Sequence, residues 1–369
     1  MGVTQPAEPR PAVTRPVLQK FTEAAGVSGD EVEIRRVVRE TIEGLADEIR
    51  SDTIGNLFAT QQAPRRGKVR TVKGPEGERP LRVMLAAHMD ECGLMVQRIG
   101  KDGLLRFGKV GGIDDRVLVS KAVFVGDRRL PGVIGAKPIH LQERGDWEKP
   151  IPYDEMYIDI GATSRDEAER HVKVGDRAIF ATRYEEIGRN AAKAKSFDDR
   201  AGCAILAESL VGRYGLEVVG AFTVQEEVGL RGARVAAHAV DPDLTIVLEG
   251  TSCNDMPFNP LHGQSTWFGR GPALTLVDSF TIAPIRLVRQ VADLAEKHKI
   301  PFQFKRVTLG GNDAGSIHKS RAGIPTLAIS LPTRYIHAPA QLISLDDYAN
   351  AQALLSLILD HLAKGDLTL

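Results

Sequence analysis

Two adjacent glutamates, Glu226 and Glu227, are the first sign of chemistry in this sequence. They follow the apolar run LEVVGAFTV (216–224), which predicts a buried strand, and they precede VGLRG (228–232). Two neighbouring carboxylates at the end of a buried strand repel each other and resist the loss of water. A bound cation would offset both effects, so the pair predicts a metal site with further ligands elsewhere.

Other candidate ligands also follow apolar runs or open a helix. In open α/β sheets, binding sites form outside the carboxyl ends of the strands. The residues found at such ends are His88 and Asp90 after RVMLAA, Glu249 after LTIVL, His337 after PTLAISL and PTRY, and Asp198-Asp199 in SFDDRAG. Imidazoles and carboxylates are ligands of zinc, cobalt and manganese. One carboxylate more than a single ion needs predicts two divalent ions about 3.5–4 Å apart.

Each candidate also has an ordinary structural explanation. Asp198 or Asp199 can cap a helix, an isolated histidine such as His88 is usually a hydrogen-bonded core residue, and Glu249 can begin a helix. Asp90, on the same strand face as His88, can instead orient the imidazole as a ligand. The adjacent glutamates have the weakest alternative explanation, because a buried pair of carboxylates needs a counter-charge.

The pattern of apolar runs predicts an α/β domain interrupted by a β-rich segment. Over 97–188, short Val/Ile runs are separated by glycines, with one short helix predicted at SRDEAERHV (164–172). We therefore expect a catalytic domain formed by 16–96 and 189–369, an inserted domain over 97–188 and a mobile Pro-rich tail over 1–15. Helical periodicity that begins at Gly29-Asp30 predicts one helix over 29–49.

The composition excludes several classes of protein. The chain has 369 residues, of which 43% are hydrophobic, and 48 basic residues balance 48 acidic ones. This length favours two domains, and zero net charge argues against nucleic-acid binding. No apolar run reaches about 18 residues, so no membrane span is expected, and the start lacks the apolar segment of a secretory signal. Three widely spaced cysteines, Cys92, Cys203 and Cys253, fit small core residues in a reducing cytoplasm.

Six ordered motifs resemble those of one enzyme family. They are AAHMDECGLMV, SFDDRAGC, VQEEVGLRGA, VLEGTSCNDMP, GGNDAGSIHKSRAGIPT and RYIHAPAQLIS. Together they are similar to the tetrahedral (TET-type), glutamyl-aminopeptidase-like metallopeptidases, some of which have been labelled endoglucanases. The motifs follow the family's order from about Thr22 to Leu362, and their combination is specific although no single motif is.

The resemblance implies a role for each candidate residue in a site with two divalent ions, zinc or cobalt or else manganese. Five residues would bind the ions: Asp198 as the bridge, His88 and Glu249 on one ion, and Glu227 and His337 on the other. Glu226 would be the general base, and Asp90 would orient His88.

The resemblance also implies a fold, a substrate class and an assembly. The catalytic domain would be a mixed-sheet, three-layer α/β metallopeptidase domain, and the β-rich insertion would be a PDZ-like dimerisation domain. Substrates would be peptides with a free N-terminus, and dimers would assemble into a hollow tetrahedral dodecamer.

The mechanism that follows assigns different tasks to the two glutamates. Two ions would lower the pKa of a bridging water, and a free carboxylate would accept its proton. Adjacent residues of a strand point in opposite directions, so both glutamates can serve one site only if the strand has already ended. The Val-Gly that follows, at 228–229, allows the chain to turn there.

The sequence departs from the family pattern at two positions. Glu249 stands where many relatives have Asp, and Asn312 stands where GGTDA has Thr, which affects the contact expected near Asp313. We expect Arg200 to balance the charge of the Asp198-Asp199 pair.

The alternatives to an aminopeptidase are another dinuclear hydrolase of deacylase or carboxypeptidase type, a non-enzymatic metal-dependent scaffold, and an endoglucanase-type glycoside hydrolase. The last needs no histidines and usually has many aromatics, which make up only 5% of this chain.

Overall fold

The computed structural model describes residues 15–65, 67–74, 77–143, 145, 148–257, 263–306 and 308–369. The predicted tail over 1–15, apart from its last residue, lies outside the described residues. Within them the helices are α1 (Arg15–Glu23), α2 (Val32–Ile42), α3 (Arg165–Glu169), α4 (Phe197–Ser209), α5 (Arg231–Val240), α6 (Ile285–Lys297), α7 (Ala314–Ile317) and α8 (Leu345–Lys364). No helix of these ranges is both long and apolar enough to cross a membrane.

The strands fall into a large sheet, a barrel and a small hairpin. Those of the large sheet are β1 (Glu48–Ser51), β2 (Leu57–Gln61), β5 (Arg82–His88), β12 (Glu185–Ile187), β13 (Ala191–Ala194), β14 (Glu217–Thr223), β15 (Leu244–Ser252), β16 (Ala273–Leu274), β17 (Gln303–Phe304), β18 (Thr326–Arg334) and β19 (Gln341–Ser344). Those of the barrel are β6 (Gly93–Ile99), β7 (Leu105–Val110), β8 (Ala122–Val125), β9 (Leu130–Gly135), β10 (Tyr157–Asp159) and β11 (Arg177–Phe180). The hairpin is β3 (Thr71–Gly74) with β4 (Gly77–Pro80).

The large sheet is mixed, with parallel strands at its centre. Its order is β1-β2-β14-β5-β15-β18-β19-β13-β12, and off this path β16 pairs with β18 and β17 pairs with β16. The four strands β14, β5, β15 and β18 are mutually parallel, whereas β2 and β19 flank them in antiparallel orientation. The carboxyl ends of the four parallel strands therefore meet at one edge of the sheet, where a site is expected.

Helices cover both faces of this sheet, so the domain has three layers. Alternate residues of β5 show this: Val83, Leu85 and Ala87 join the core beneath α1, α2, α4, α6 and α8. Met84 and Ala86 join the core beneath α5 and α7. Because both faces of the central strands are buried, their sequences are nearly continuous apolar runs. The fold is thus the mixed α/β architecture that the sequence predicts.

The β-rich segment forms a closed six-stranded barrel with its own core. The strand order is β10-β7-β6-β11-β8-β9, and the core includes Leu94, Phe107 and Ile134. The barrel strands run from Gly93 to Phe180, whereas β12, which falls inside the predicted insertion of 97–188, pairs with β13 in the large sheet. The division into domains stays a prediction, but the barrel strands begin earlier and end earlier than its limits.

Two predicted helices have different outcomes. The short one predicted in 164–172 is α3, whose first turn is capped by the Ser164 hydroxyl accepting from the Glu167 N–H. The long one predicted over 29–49 is wrong in its second half, because α2 ends at Ile42. Gly44 has a φ of +79° and turns the chain, and residues 48–51 pair with β2 as a strand. Strand pairing there overrides a continuous helical pattern.

Candidate active site

Four of the predicted site residues lie near the carboxyl ends of neighbouring parallel strands. His88 is the last residue of β5 and is paired in register with Thr223, the last residue of β14. Glu226 and Glu227 follow β14 directly, and Glu249 lies in β15 on the other side of β5. The common strand direction therefore places an imidazole and three carboxylates at one edge of the sheet.

The Glu226-Glu227 pair lies in a turn rather than on a strand, as the sequence predicts. Gln225, just before the pair, has a φ of +57°, and Gly229, just after it, has a φ of +124°. The main-chain N–H groups of Gly229 and Leu230 both donate to the Glu226 carbonyl at 2.9 Å. The strand has ended at Thr223, so both glutamate side chains can reach the site.

Asp198 enters the site from the start of α4. Asp198 and Asp199 both have non-helical backbone angles, although they fall within the first turn of α4. The Asp198 N–H donates to Gln341 Oε1 at 2.9 Å. The Asp199 carboxylate instead accepts from the main-chain N–H groups of His88 and Gly202, at 3.2 and 3.0 Å. The pair thus separates into one carboxylate that faces the histidines and one that holds the main chain.

His337 reaches the site from the turn after β18. Tyr335 and His337 both have φ near +59°, and the Ala338 N–H donates to the Tyr335 carbonyl at 3.1 Å. This turn brings the imidazole towards Asp198. The His337 side chain is 40% exposed, compared with 1% for His88, so the His337 side of the site is the one open to solvent.

Asp198 connects two groups of potential ligands. Its Oδ1 lies 3.4 Å from His88 Nε2, which is also 3.3 Å from Glu249 Oε1. Its Oδ2 lies 3.2 Å from His337 Nε2, which is 3.4 Å from Glu227 Oε2. The two oxygens of one carboxylate therefore face two separate pairs of side chains.

Asp90 holds this arrangement together, although not as predicted. β5 ends at His88, so Asp90 is not on the strand. Its main-chain carbonyl lies 3.1 Å from His88 Nδ1, closer than its carboxylate at 3.5 Å. The carboxylate accepts from the N–H groups of Glu226 and Glu227, at 2.9 and 3.2 Å, and from the Ser28 hydroxyl at 2.6 Å. Asp90 therefore fixes the glutamate turn as well as the imidazole.

The pKa values show how strongly these groups interact. Burial raises the pKa of Glu226 and Glu227, and it raises that of Glu249 to about 8. Burial disfavours the charged form of His88, but the Glu249 carboxylate and hydrogen bonds outweigh it and raise its pKa well above the usual range. Burial also opposes ionisation of Asp198, but hydrogen bonds from the two histidines lower its pKa.

The residues present fit divalent metal ions. Imidazole and carboxylate atoms converge in two groups, His88–Asp198–Glu249 and Cys92–Glu227–His337, with the ligand atoms of each group within 4.8 Å of one another. Glu249 Oε2 is a buried oxygen with no hydrogen-bond partner in the described part of the chain, and Asp313 Oδ1 is another. Bound cations would satisfy buried carboxylates that otherwise carry a large desolvation penalty.

Several expectations need correction. Arg200 does not contact the Asp198-Asp199 pair: its guanidinium donates to Glu91 at 3.2 Å and to the main chain of α1. Asn312 lies just before α7, and its Oδ1 accepts from the Ala314 N–H at 2.9 Å. Asp313 Oδ2 accepts from the Thr223 hydroxyl at 2.5 Å.

Sequence reasoning also missed Ser28 and favoured a core role for Cys92. Ser28 and Cys92 both contact the site, and their only sequence signal is that Cys92 follows the HMDE segment directly. Cys203 and Cys253 are buried as expected, whereas Cys92 is only partly buried.

Comparisons with known proteins agree with this geometry. The chain is 32% identical over 363 residues to the lysyl aminopeptidase of Pyrococcus furiosus, covering 95% of this chain and 98% of that protein. The structure is similar to the TET aminopeptidase from Thaumarchaeota archaeon SCGC AB-539-E09, with a TM-score of 0.87, 36% identity and coverage of 96% and 98%. It is also similar to the TET1 peptidase of Pyrococcus horikoshii, described as assembling into a tetrahedron or a large octahedral shell (TM-score 0.80, 34% identity, coverage of 94% and 98%).

The sequence pattern of the M42 glutamyl aminopeptidases matches residues 67–354, which span most of the chain and contain every predicted ligand. The chain therefore belongs to the M42 glutamyl aminopeptidase family of peptidases.

Proposed function

We propose that this chain is an aminopeptidase that uses two divalent ions, zinc, cobalt or manganese, in each subunit. The observation that carries the proposal is the position of Asp198, whose Oδ1 lies 3.4 Å from one imidazole and whose Oδ2 lies 3.2 Å from the other. A ligand shared by two ions needs a carboxylate placed in this way. His88 and Glu249 would complete one ion, and Glu227 and His337 would complete the other.

Glu226 is the proposed general base. Its Oε2 lies 3.9 Å from His88 Nε2, yet it belongs to neither ligand group. Burial raises its pKa well above the usual range, which suits a carboxylate that accepts a proton near neutral pH. When bound, the two ions would lower the pKa of a water molecule and polarise the scissile carbonyl. Glu226 then takes up a proton from that water and passes it to the leaving amine.

Asp90 is the proposed positioning residue. It lies behind His88 and accepts from the N–H groups of both glutamates. Through these contacts one side chain sets the distance between the general base and a metal ligand. Groups that hold ligands in this way tune metal affinity and activity without binding the metal themselves.

The exopeptidase part of the proposal rests on the family and on the relatives named aminopeptidases. We propose peptides with a free N-terminus as substrates, entering from the side where His337 is exposed to solvent. The test compares aminoacyl chromogenic substrates with their N-acetylated forms, using metal-free protein and protein supplied with zinc, cobalt or manganese. We expect turnover only with a metal ion and a free α-amine.

Three results would contradict the assignment. Rapid cleavage of the acetylated substrates would indicate a deacylase, and release of C-terminal residues would indicate a carboxypeptidase. Full activity after chelation would exclude the metal-dependent mechanism altogether.

We also propose that the barrel mediates assembly into a homo-oligomer, as its relatives' tetrahedral and octahedral shells suggest. Exposed apolar side chains at Ile139 and Leu141 lie within the segment that connects the barrel strands. Leu94 pairs with Ala178, so the two ends of the barrel segment lie side by side and a short Gly/Ser linker can join them. We expect a variant in which this linker replaces the barrel to form a smaller species in light scattering. The double variant Ile139→Asp/Leu141→Asp should do the same. Survival of the same large particle in both variants would contradict the assembly role.

A further inference from the structure

Cys92 lies in the half of the site that is open to solvent. It stands between Glu91 and Gly93, at the point where the chain leaves the large sheet and enters the barrel. Its Sγ, a carboxylate oxygen of Glu227 and a ring nitrogen of His337 all lie within 4.8 Å of one another. These three side chains come from three separate parts of the chain, so the thiol converges with two ligand-type groups.

The surroundings hold the sulfur in this position. Gly111 has a φ of +88°, and a Cβ atom there would lie 2.5 Å from Cys92 Sγ. A Cβ atom at Gly112 would lie 3.3 Å from His337 Nδ1. The glycine pair thus lets the main chain pack closely against the thiol and the imidazole together.

We infer that Cys92 supplies a thiolate ligand to the ion that Asp198, Glu227 and His337 would hold. This inference rests on the proposed two-metal function and deepens it, because the two ion positions then differ in chemistry. The ion between His88 and Glu249 has only nitrogen and oxygen ligands, whereas the other also has sulfur.

The geometry needs only a small adjustment to bind an ion. Zinc–ligand bonds of about 2.0–2.3 Å in a tetrahedron place the ligand atoms about 3.3–3.8 Å apart. The Cys92 group, within 4.8 Å, has to contract by no more than about 1.5 Å. On binding, the thiol loses its proton to solvent, because a coordinated thiol is deprotonated, and the S–metal bond replaces the S–H bond.

A sulfur ligand changes which metals the site prefers. Thiolates favour softer ions such as zinc, while oxygen ligands suit manganese and magnesium. We therefore expect the ion position that includes Cys92 to prefer zinc over manganese more strongly than the ion position that includes His88. The consequence for function is an enzyme whose two ions are replaced at different rates and by different metals.

The experiment uses full-length protein loaded with two equivalents of Co²⁺, in wild type, Cys92→Val and a matched control, Cys253→Ala. Cys253 is a buried thiol that belongs to neither ligand group. We expect a thiolate-to-cobalt charge-transfer absorption in wild type and Cys253→Ala that is absent in Cys92→Val. We also expect the affinity for the second zinc ion to fall by about 10–100-fold in Cys92→Val only.

A second measurement needs no variant and therefore does not depend on folding of Cys92→Val. Iodoacetamide labelling followed by peptide mapping should modify Cys92 in the metal-free protein and leave it protected when both ions are bound. Equal labelling of Cys92 in the two states overturns the inference. So does a charge-transfer absorption that is absent from wild type or present in Cys92→Val. If two cobalt ions bind and peptides are cleaved without that absorption, the inference fails while the proposed function stands. If no ion binds, both fail.

Discussion

Two buried charge clusters are neighbours in this molecule, and only one of them pairs its carboxylate with lysine and arginine. The matched cluster consists of Glu91, Lys195 and Arg200, all at most 3% exposed. Lys195 Nζ lies 2.7 and 2.8 Å from the two Glu91 oxygens, and Arg200 lies 3.2 Å from one of them. Both cations also donate to the main-chain carbonyl of Ala24.

The ligand cluster, formed by His88, Asp198, Glu227, Glu249 and His337, has the opposite character. None of its carboxylates forms an ion pair with a lysine or arginine in the described ranges, and its contacts are with the two imidazoles. One oxygen of Glu249 has no hydrogen-bond partner there. A buried charge that is paired is a feature of the fold, whereas a buried charge without a counter-ion points to an external cation.

The two clusters are neighbours in sequence as well as in space. Asp90 serves the ligand cluster and Glu91 the matched cluster, and the same division separates Asp198 from Arg200. The matched cluster therefore anchors both segments that carry ligands. This contrast predicts that changes in one cluster depend on metal and changes in the other do not.

The largest expected effect comes from the glutamate pair beside the ligand cluster. Glu226→Gln retains the shape but removes the basic oxygen, so kcat should fall about 10²–10⁴-fold with metal content unchanged. Glu227→Gln replaces an anionic ligand with a neutral amide, so metal affinity should fall and excess metal should restore part of the activity. The test measures the metal content of both variants by elemental analysis, together with kcat at several metal concentrations. If Glu226→Gln is the variant that loses metal, the two roles are reversed.

Breaking the matched cluster should reduce stability regardless of metal. Glu91→Gln leaves Lys195 and Arg200 buried without a carboxylate, and a buried charge that loses its partner typically costs about 3–5 kcal/mol. Urea denaturation should show the same loss with zinc and with chelator. The control is Glu249→Gln, which removes a buried carboxylate from the ligand cluster.

The control should behave differently in the two conditions. Glu249→Gln is expected to reduce stability with zinc but not with chelator, because without an ion it relieves repulsion among carboxylates. If Glu249→Gln loses the same stability with zinc and with chelator, the ligand cluster does not depend on a bound ion. The proposed difference between the two clusters would then be wrong.

The smallest expected effect is the pH dependence of metal binding. Burial opposes protonation of His337, but its hydrogen bond with Asp198 and the Glu227 charge raise its pKa to about 9. Below that pH the metal-free protein holds a proton that an ion must displace. Affinity should therefore rise by at least about tenfold, or about 1.4 kcal/mol, for each pH unit between 7 and 9, because other ligands that bind in their deprotonated form, such as the Cys92 thiol, add to this dependence. Isothermal titration calorimetry makes the measurement, and a constant affinity across this range would contradict it.

The sequence alone determined which residue types stand at the edge of the sheet. Apolar runs such as RVMLAA and GAFTV mark parallel strands buried on both faces, and the residues after them reach one edge because the strands share a direction. For this reason the positions of His88, Glu226, Glu227 and Glu249 along the chain are enough to predict that they share a site. The short Val/Ile runs separated by glycines over 97–188 likewise predicted a β-rich segment, and the closed barrel lies there.

Only the tertiary structure decided which neighbours in the chain face the same way. Glu91 and Cys92 follow Asp90 directly, yet one enters the matched cluster and the other reaches the second ligand group. Residues 43–49 have a helical pattern but leave α2 at Gly44 and join the sheet. For Glu91 and Cys92 the deciding contacts are with residues far away in sequence, Lys195 and His337, whereas residues 48–51 pair with the nearby strand β2. Local periodicity contains no information about partners more than 100 residues away, and it cannot show where backbone turns redirect a side chain.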